Sequence, residues 1–143
     1  MPLSVFEETS PGVYTEISSD GAFINPILTM HNGQKSESID KKLFIGRPSG
    51  DTFTYTNITI KPISTGGDND VDGSTGWGVK LMSDSGSTPT KNDWDAVSYG
   101  NQITIPDISD DNKIAFWYHI ESPSGIDVGS KRNVALLLQF TES

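Results

Sequence analysis

The chain has no cysteine in its 143 residues, and this removes disulfides, thiolate metal sites and thiol nucleophiles together. No stretch approaches the roughly 20 apolar residues needed to cross a bilayer as a helix, so no membrane span is expected. The first ten residues, Met1 to Ser10, have neither a basic start nor an apolar run, so no signal peptide is expected either. Basic residues are scarce: ten Lys and Arg stand against nineteen Asp and Glu, a net charge of -9. Lys41-Lys42 and Lys131-Arg132 are the only adjacent basic pairs. Such a surface repels phosphate backbones, which argues against direct nucleic-acid binding and for a chain kept soluble by its acidity. There are only two histidines, His31 and His119. No H-E-x-x-H, G-x-S-x-G or Gly-Lys-Ser/Thr phosphate loop occurs, and Gly66-Gly67 and Gly76-x-Gly78 lack the strand-to-helix setting of a nucleotide site. Helix signals are few.

What is present is a series of short β-branched and aromatic runs between turn-forming clusters. The most developed is Ile114-Ala115-Phe116-Trp117-Tyr118-His119-Ile120, between the acidic turn Asp110-Asp111-Asn112 and Ser122-Pro123-Ser124-Gly125. Alternation places Ile114, Phe116, Tyr118 and Ile120 on one face and Ala115, Trp117 and His119 on the other. Both faces are largely apolar, so this strand should lie inside a sheet whose second face meets another layer or another chain, with Trp117 buried.

Other strands follow the same logic. Gly12 to Ile17 reads as a weak strand, closed by the turn at Asp20-Gly21. Ile27 to His31 reads as a strand ending at Asn32-Gly33, a dipeptide suited to a tight hairpin. After the polar stretch Gln34 to Lys41 comes a short strand, Lys42 to Gly46. Phe53 to Ile60 is half exposed, with Tyr55 on the face opposite Ile58 and Ile60, and Pro62 should end it. Further strands are expected at Trp77 to Met82, Gln102 to Ile105 and Asn133 to Phe140. One helix start stands out: Thr90 can cap the backbone while Asp93, three residues on, takes the reciprocal position, and Tyr99-Gly100-Asn101 stops the helix within one or two turns. About eight short strands, frequent turns and one short helix predict a single all-β domain, an antiparallel β-sandwich of Ig-like or jelly-roll-like type spanning residues 13–143.

Residues 1–12 read as an extended N-terminal arm. Pro2 disfavours helix before it, and Leu3, Val5 and Phe6 are the side chains that could fill pockets on a partner as an added strand.

Candidate chemistry is sparse. Asp68, Asp70 and Asp72, followed by Gly73, resemble the first half of a calcium loop, since alternate oxygen ligands can turn round a hard cation. The position of the closing bidentate glutamate holds Val79, so an EF-hand is excluded, no metal is required and no cofactor is expected. Asp107 with Asp110 or Asp111 could form a glycosidase-type carboxylate pair, although acidic turn residues are usually just solvated. His119, within a buried strand, reads as a hydrogen-bonded core residue rather than a general base. Trp77, Trp94 and Trp117 could be platforms for sugar rings or, more simply, anchors in the core. Asn57-Ile58-Thr59 matches a glycosylation sequon and reads here as strand.

From about Asp20 to Phe140 the order of short motifs resembles a family of tailed-bacteriophage virion proteins. The matching features are Asp20-Gly21 with Asn25-Pro26, Lys42-Leu43-Phe44-Ile45, Tyr55-Thr56-Asn57-Ile58-Thr59 ahead of an Asp/Gly loop, and Trp77-Gly78-Val79-Lys80-Leu81. Pro89-Thr90 with Asp93-Trp94, Gly100-Asn101, Ile105-Pro106-Asp107-Ile108 and Phe116-Trp117-Tyr118-His119-Ile120 continue the order. Related sequences tend to carry Arg where this chain has Tyr118-His119. The resemblance implies a non-enzymatic structural protein of the virion: a cement or decoration protein on the outer capsid surface, contacting the major capsid protein as a dimer or trimer. A tail, neck or baseplate component is the alternative within that family, and a carbohydrate-binding module for the host surface is the alternative outside it.

Overall fold

The computed structural model of the protein describes residues 3–16, 29–31, 37–64, 70–123, 129–131 and 134–143, with the backbone alone for 29–31, 37 and 129–131. Among the described residues ten strands and one helix follow in order: β1 Ser4–Ser10, β2 Val13–Glu16, β3 Thr29–His31, β4 Glu37–Gly46, β5 Tyr55–Ser64, β6 Gly78–Ser83, α1 Lys91–Asp95, β7 Ile103–Ile105, β8 Ile114–Ser122, β9 Gly129–Lys131 and β10 Val134–Glu142. They form a five-stranded sheet in the order β2-β1-β4-β8-β6, a three-stranded sheet β10-β5-β7 and a two-stranded ribbon β3-β9, with antiparallel pairing throughout. The two larger sheets pack face to face, so the chain is an all-β sandwich. The turns expected at residues 18–21 and 32–33 lie outside the described residues.

Period-two alternation builds the core. Leu43 and Ile45 from β4, Val79 and Leu81 from β6, and Phe116, Tyr118 and Ile120 from β8 meet Tyr55, Ile58 and Ile60 from β5 and Leu136 and Leu138 from β10. Strand β8 runs between β4 and β6, inside its sheet as its two apolar faces require. Ile108 seals the end of the sandwich by exchanging backbone hydrogen bonds with Tyr55 (2.8 and 2.9 Å). The Tyr118 hydroxyl is fully buried without a partner among the described residues, and burial raises its phenol above the usual range.

Four details differ from the reading of the sequence. Residues 1–12 are not an arm, because β1 pairs with β4 from Ser4↔Gly46 to Glu7↔Leu43, and Leu3 and Val5 are completely buried in the chain's own core. Leu3 and Val5 therefore cannot dock on a partner. The polar stretch before Lys42 is strand from Glu37, because β8 is long enough to pair with it out to Ser122. Strand β5 continues through Pro62; β7 has already ended, at Ile60↔Ile103, so the proline sits where one side of β5 is open. Finally, Tyr55 shares the inner face with Ile58 and Ile60. A bulge explains this: the pairing with β10 slips between Thr56↔Thr141 and Thr59↔Gln139, and Asn57 takes φ 53°, a left-handed conformation that Asn tolerates better than most residues. The extra residue reverses the alternation, turning Tyr55 inward.

Candidate functional site

A polar cluster lies on the outer face of the five-stranded sheet, and strand register assembles it. Asp40 of β4 and Lys80 of β6 stand directly opposite His119 of β8, while Ser38 and Gly78 flank Glu121. Alternation turns these side chains away from the core that Leu43, Leu81 and Tyr118 enter.

The helix roofs one end of this face. Thr90 accepts the Asp93 N–H (3.3 Å) while the Asp93 carboxylate accepts the Thr90 N–H (2.8 Å), so the reciprocal cap expected from the sequence is present. It aims the next residue, Trp94, down onto the sheet, where the indole is buried and stacks on the His119 ring. Outside, Lys91 and Asp95 form an i,i+4 pair at 2.7 Å, and that lysine, against a smaller opposing effect of burial, holds the Asp95 carboxyl below its ordinary range. So the second layer that β8 required is a single helical turn carrying one tryptophan.

Beneath Trp94 the polar groups satisfy one another. His119 Nδ1 is 2.5 Å from Asp40 Oδ1, and its Nε2 is 3.2 Å from Glu121 Oε2. Asp40 also accepts the Trp94 indole N–H at 3.2 Å. The buried Lys80 ammonium donates to the Trp94 carbonyl (2.9 Å), lies 3.9 Å from Glu121 and sits 4.6 Å from the centre of the Tyr99 ring. Burial, a hydrogen bond with Glu121 and the negative charge of Glu121 and Asp95 raise the Tyr99 phenol. Tyr99 reaches this position because residue 78 is glycine: a Cβ there would stand 2.2 Å from a Tyr99 ring carbon. The cluster itself borders a cleft of about 300 Å³, lined by Asp40, Trp94, His119 and Glu121 together with Ser38, Pro89, Lys91 and Asp95.

His119 is therefore the hydrogen-bonded, buried residue that the sequence predicts. Both ring nitrogens face carboxylates across the ring, not a shared point, and no group of three ligands placed to hold a metal occurs among the described residues. Asp40, Lys80, Tyr99 and Glu121 escaped the sequence reading. The signal was available only through pairing, since each is an ordinary polar residue until the register sets it beside His119.

The other candidates are dispersed. Phe6 is half buried on the outer face, opposite Phe44 and with the Lys113 ammonium 4.9 Å from its ring centre. Asp68 lies outside the described residues; Asp70 is buried and accepts the Thr75 hydroxyl (2.7 Å), and Asp72 accepts the Ser74 N–H (2.9 Å), so both serve the turn that contains them. Asp110 caps Asn112 at 2.9 Å and Asp111 pairs with Arg47 at 2.9 Å, while Asp107 is exposed. Trp77 is half buried against the core. Trp117, expected to be buried, is only partly so, because α1 covers His119 and stops short of it. Its indole donates to Asp84 (3.1 Å), and the Lys42 ammonium lies 5.9 Å from its ring. That bond, opposed by burial and helped by the Gly86 N–H and Lys42, holds the Asp84 carboxyl below its usual range.

Compared with known protein families, with curated proteins and with solved structures, the chain matches none.

Proposed function

We propose that this chain is a structural protein of a tailed-bacteriophage particle, a cement or decoration protein that reinforces contacts between major capsid protein subunits on the outer capsid surface. Two things support the reading: the order of motifs from Asp20 to Phe140, and the character of the polar cluster. The observation that carries it is the engagement of His119, Asp40, Glu121, Lys80 and Trp94 with one another, which fastens a helix to a sheet. Groups whose bonding capacity is used in holding layers together serve rigidity, and a rigid domain repeated over a symmetric shell strengthens many joints through multivalency. Trp94 lines the cleft but is only 3% exposed, with its indole stacked on the His119 ring, which leaves little face for a sugar.

The test is direct labelling of intact particles with an antibody or tag on this chain. Label distributed over heads, with DNA released at lower temperature from particles lacking the protein, is the expected result. Label confined to tails would replace the capsid reading with the tail reading, and particles without label would overturn both.

A further inference from the structure

The two ends of the five-stranded sheet are finished differently, and the difference points to an interface. At the β6 end the strand edge is closed. The Asn101 side chain acts as a surrogate peptide: its Oδ1 accepts the Leu81 N–H at 2.7 Å, and its Nδ2 donates to the Leu81 carbonyl at 2.8 Å. Val79 is engaged in the same way by backbone, donating to the Val71 carbonyl (2.9 Å) and accepting the Gly100 N–H (2.6 Å). The edge has no room for another strand.

At the opposite end, β2 is the outermost strand and all four of its residues are exposed, Val13 by 54%. Natural edges are usually blunted by charge, proline or a cover. Val13-Tyr14-Thr15 is instead a β-branched and aromatic run with high strand propensity. The one charge in the strand, Glu16, is occupied inside its own sheet, where it accepts the Ser4 hydroxyl at 2.5 Å.

We infer that β2 is the surface through which two copies of this chain associate, edge to edge and antiparallel about a two-fold axis normal to the sheet. An edge strand's row of backbone donors and acceptors is complementary to itself in that arrangement, which makes a second copy sufficient as the partner. Local charge permits this occupant. Because opposed residues in an antiparallel pair must share a face, the axis passes through a residue pair, either Tyr14 on Tyr14 or Thr15 on Thr15. In the first register Glu16 falls opposite Gly12 and in the second opposite Tyr14, so neither sets carboxylate against carboxylate. A four-residue join between two chains of net charge -9 is weak and strengthens as salt screens their repulsion. The inference is independent of any virion role.

Sedimentation equilibrium of the full chain, across protein concentration and salt, tests it against the double variant Val13→Lys/Thr15→Lys. Both positions are exposed, so the variant should keep the near-ultraviolet spectrum and melting temperature of the parent. The parent should show a reversible dimer favoured by high salt, with amide exchange of Val13 to Glu16 slowing as concentration rises. The variant should be monomeric throughout, although its two added lysines lower the overall repulsion. A parent that stays monomeric up to millimolar concentration in high salt, or a variant that dimerises as the parent does, would overturn the assignment.

Discussion

The indole of Trp94 stacks on the imidazole of His119, with ring centres 4.6 Å apart and planes inclined at 25°. One ring belongs to a single helical turn and the other to an interior strand, so the contact, with the Asp40 and Lys80 hydrogen bonds to Trp94, holds α1 to the sheet. Trp94→Ala should therefore cost about 3–5 kcal/mol, the range for removing a large buried aromatic. His119→Ala should also destabilise, and in a double-mutant cycle the two should couple by roughly 0.5–1.5 kcal/mol. Urea titration of the four proteins measures both quantities. Additive losses would mean that the rings touch without supporting one another.

Tyr118 gives the opposite expectation. Its hydroxyl is buried without a partner among the described residues, and an orphaned polar group of this kind costs about 1–3 kcal/mol. Tyr118→Phe removes the oxygen and keeps the ring, so the denaturation midpoint should stay or rise. A clear fall would reveal a hydrogen bond to that oxygen.

A pH effect follows from Asp51. Burial raises its carboxyl, but the Tyr55 hydroxyl (2.5 Å), the Phe53 N–H (2.9 Å) and the positive charge of Arg47 outweigh it and leave the group below its ordinary value. A carboxyl depressed by folding binds its proton more readily when unfolded. Its contribution is thus fully present above the unfolded pKa of about 3.9 and is lost as the pH falls through the folded value. Asp51→Asn should be less stable than the parent near neutrality, and the gap should narrow in acid. Parallel curves from neutral pH into acid would show that Asp51 carries no such linkage.

Removing residues 1–8 tests the reassignment of the N-terminal segment. The deletion takes away most of β1 together with Leu3 and Val5, both completely buried, so it should lower the melting temperature severely or abolish folding. A soluble, cooperatively folded remainder would restore the arm that the sequence first implied.

That reassignment shows where the sequence was legible. Alternation in Ile114 to Ile120 specified an interior strand, although its outer face is covered at His119 and only partly at Trp117, and Thr90 with Asp93 specified the short helix, because each signal is local. Leu3 and Val5 alternate as a strand should, but no local pattern says whether the sheet they join is their own. Lys80, which the strand pattern sets on the face opposite Val79 and Leu81, is also buried, since its surroundings come from Trp94, Tyr99 and Glu121. The site beside His119 stayed hidden for the same reason: register, not spacing, brings Asp40, Lys80 and Glu121 together. Tyr55 was misplaced by a single bulge at Asn57, which no alternation count registers.

Asn101 provides the last prediction. Its amide accepts from the Leu81 N–H and donates to the Leu81 carbonyl, so one side chain satisfies both outward backbone groups of a residue on an edge strand. An aliphatic side chain cannot do this, and a carboxylate can do only half of it, because it has no proton for the carbonyl. Asn101→Asp should therefore keep the Leu81 N–H contact, lose the other and place an oxygen lone pair against the carbonyl. Asn101→Ala should lose both, at a cost of about 1–3 kcal/mol for the groups left unpaired. The alanine variant has a second consequence. With the surrogate peptide gone, β6 has a vacant donor and acceptor at Leu81, while Val79 stays covered by Val71 and Gly100, and an uncovered stretch of edge recruits other strands. It should aggregate on heating at concentrations where Asn101→Asp, still negatively charged there, remains clear. Light scattering during thermal ramps separates these outcomes. If both variants aggregated equally, loss of stability alone would account for the behaviour, and the edge-closing role of Asn101 would be refuted.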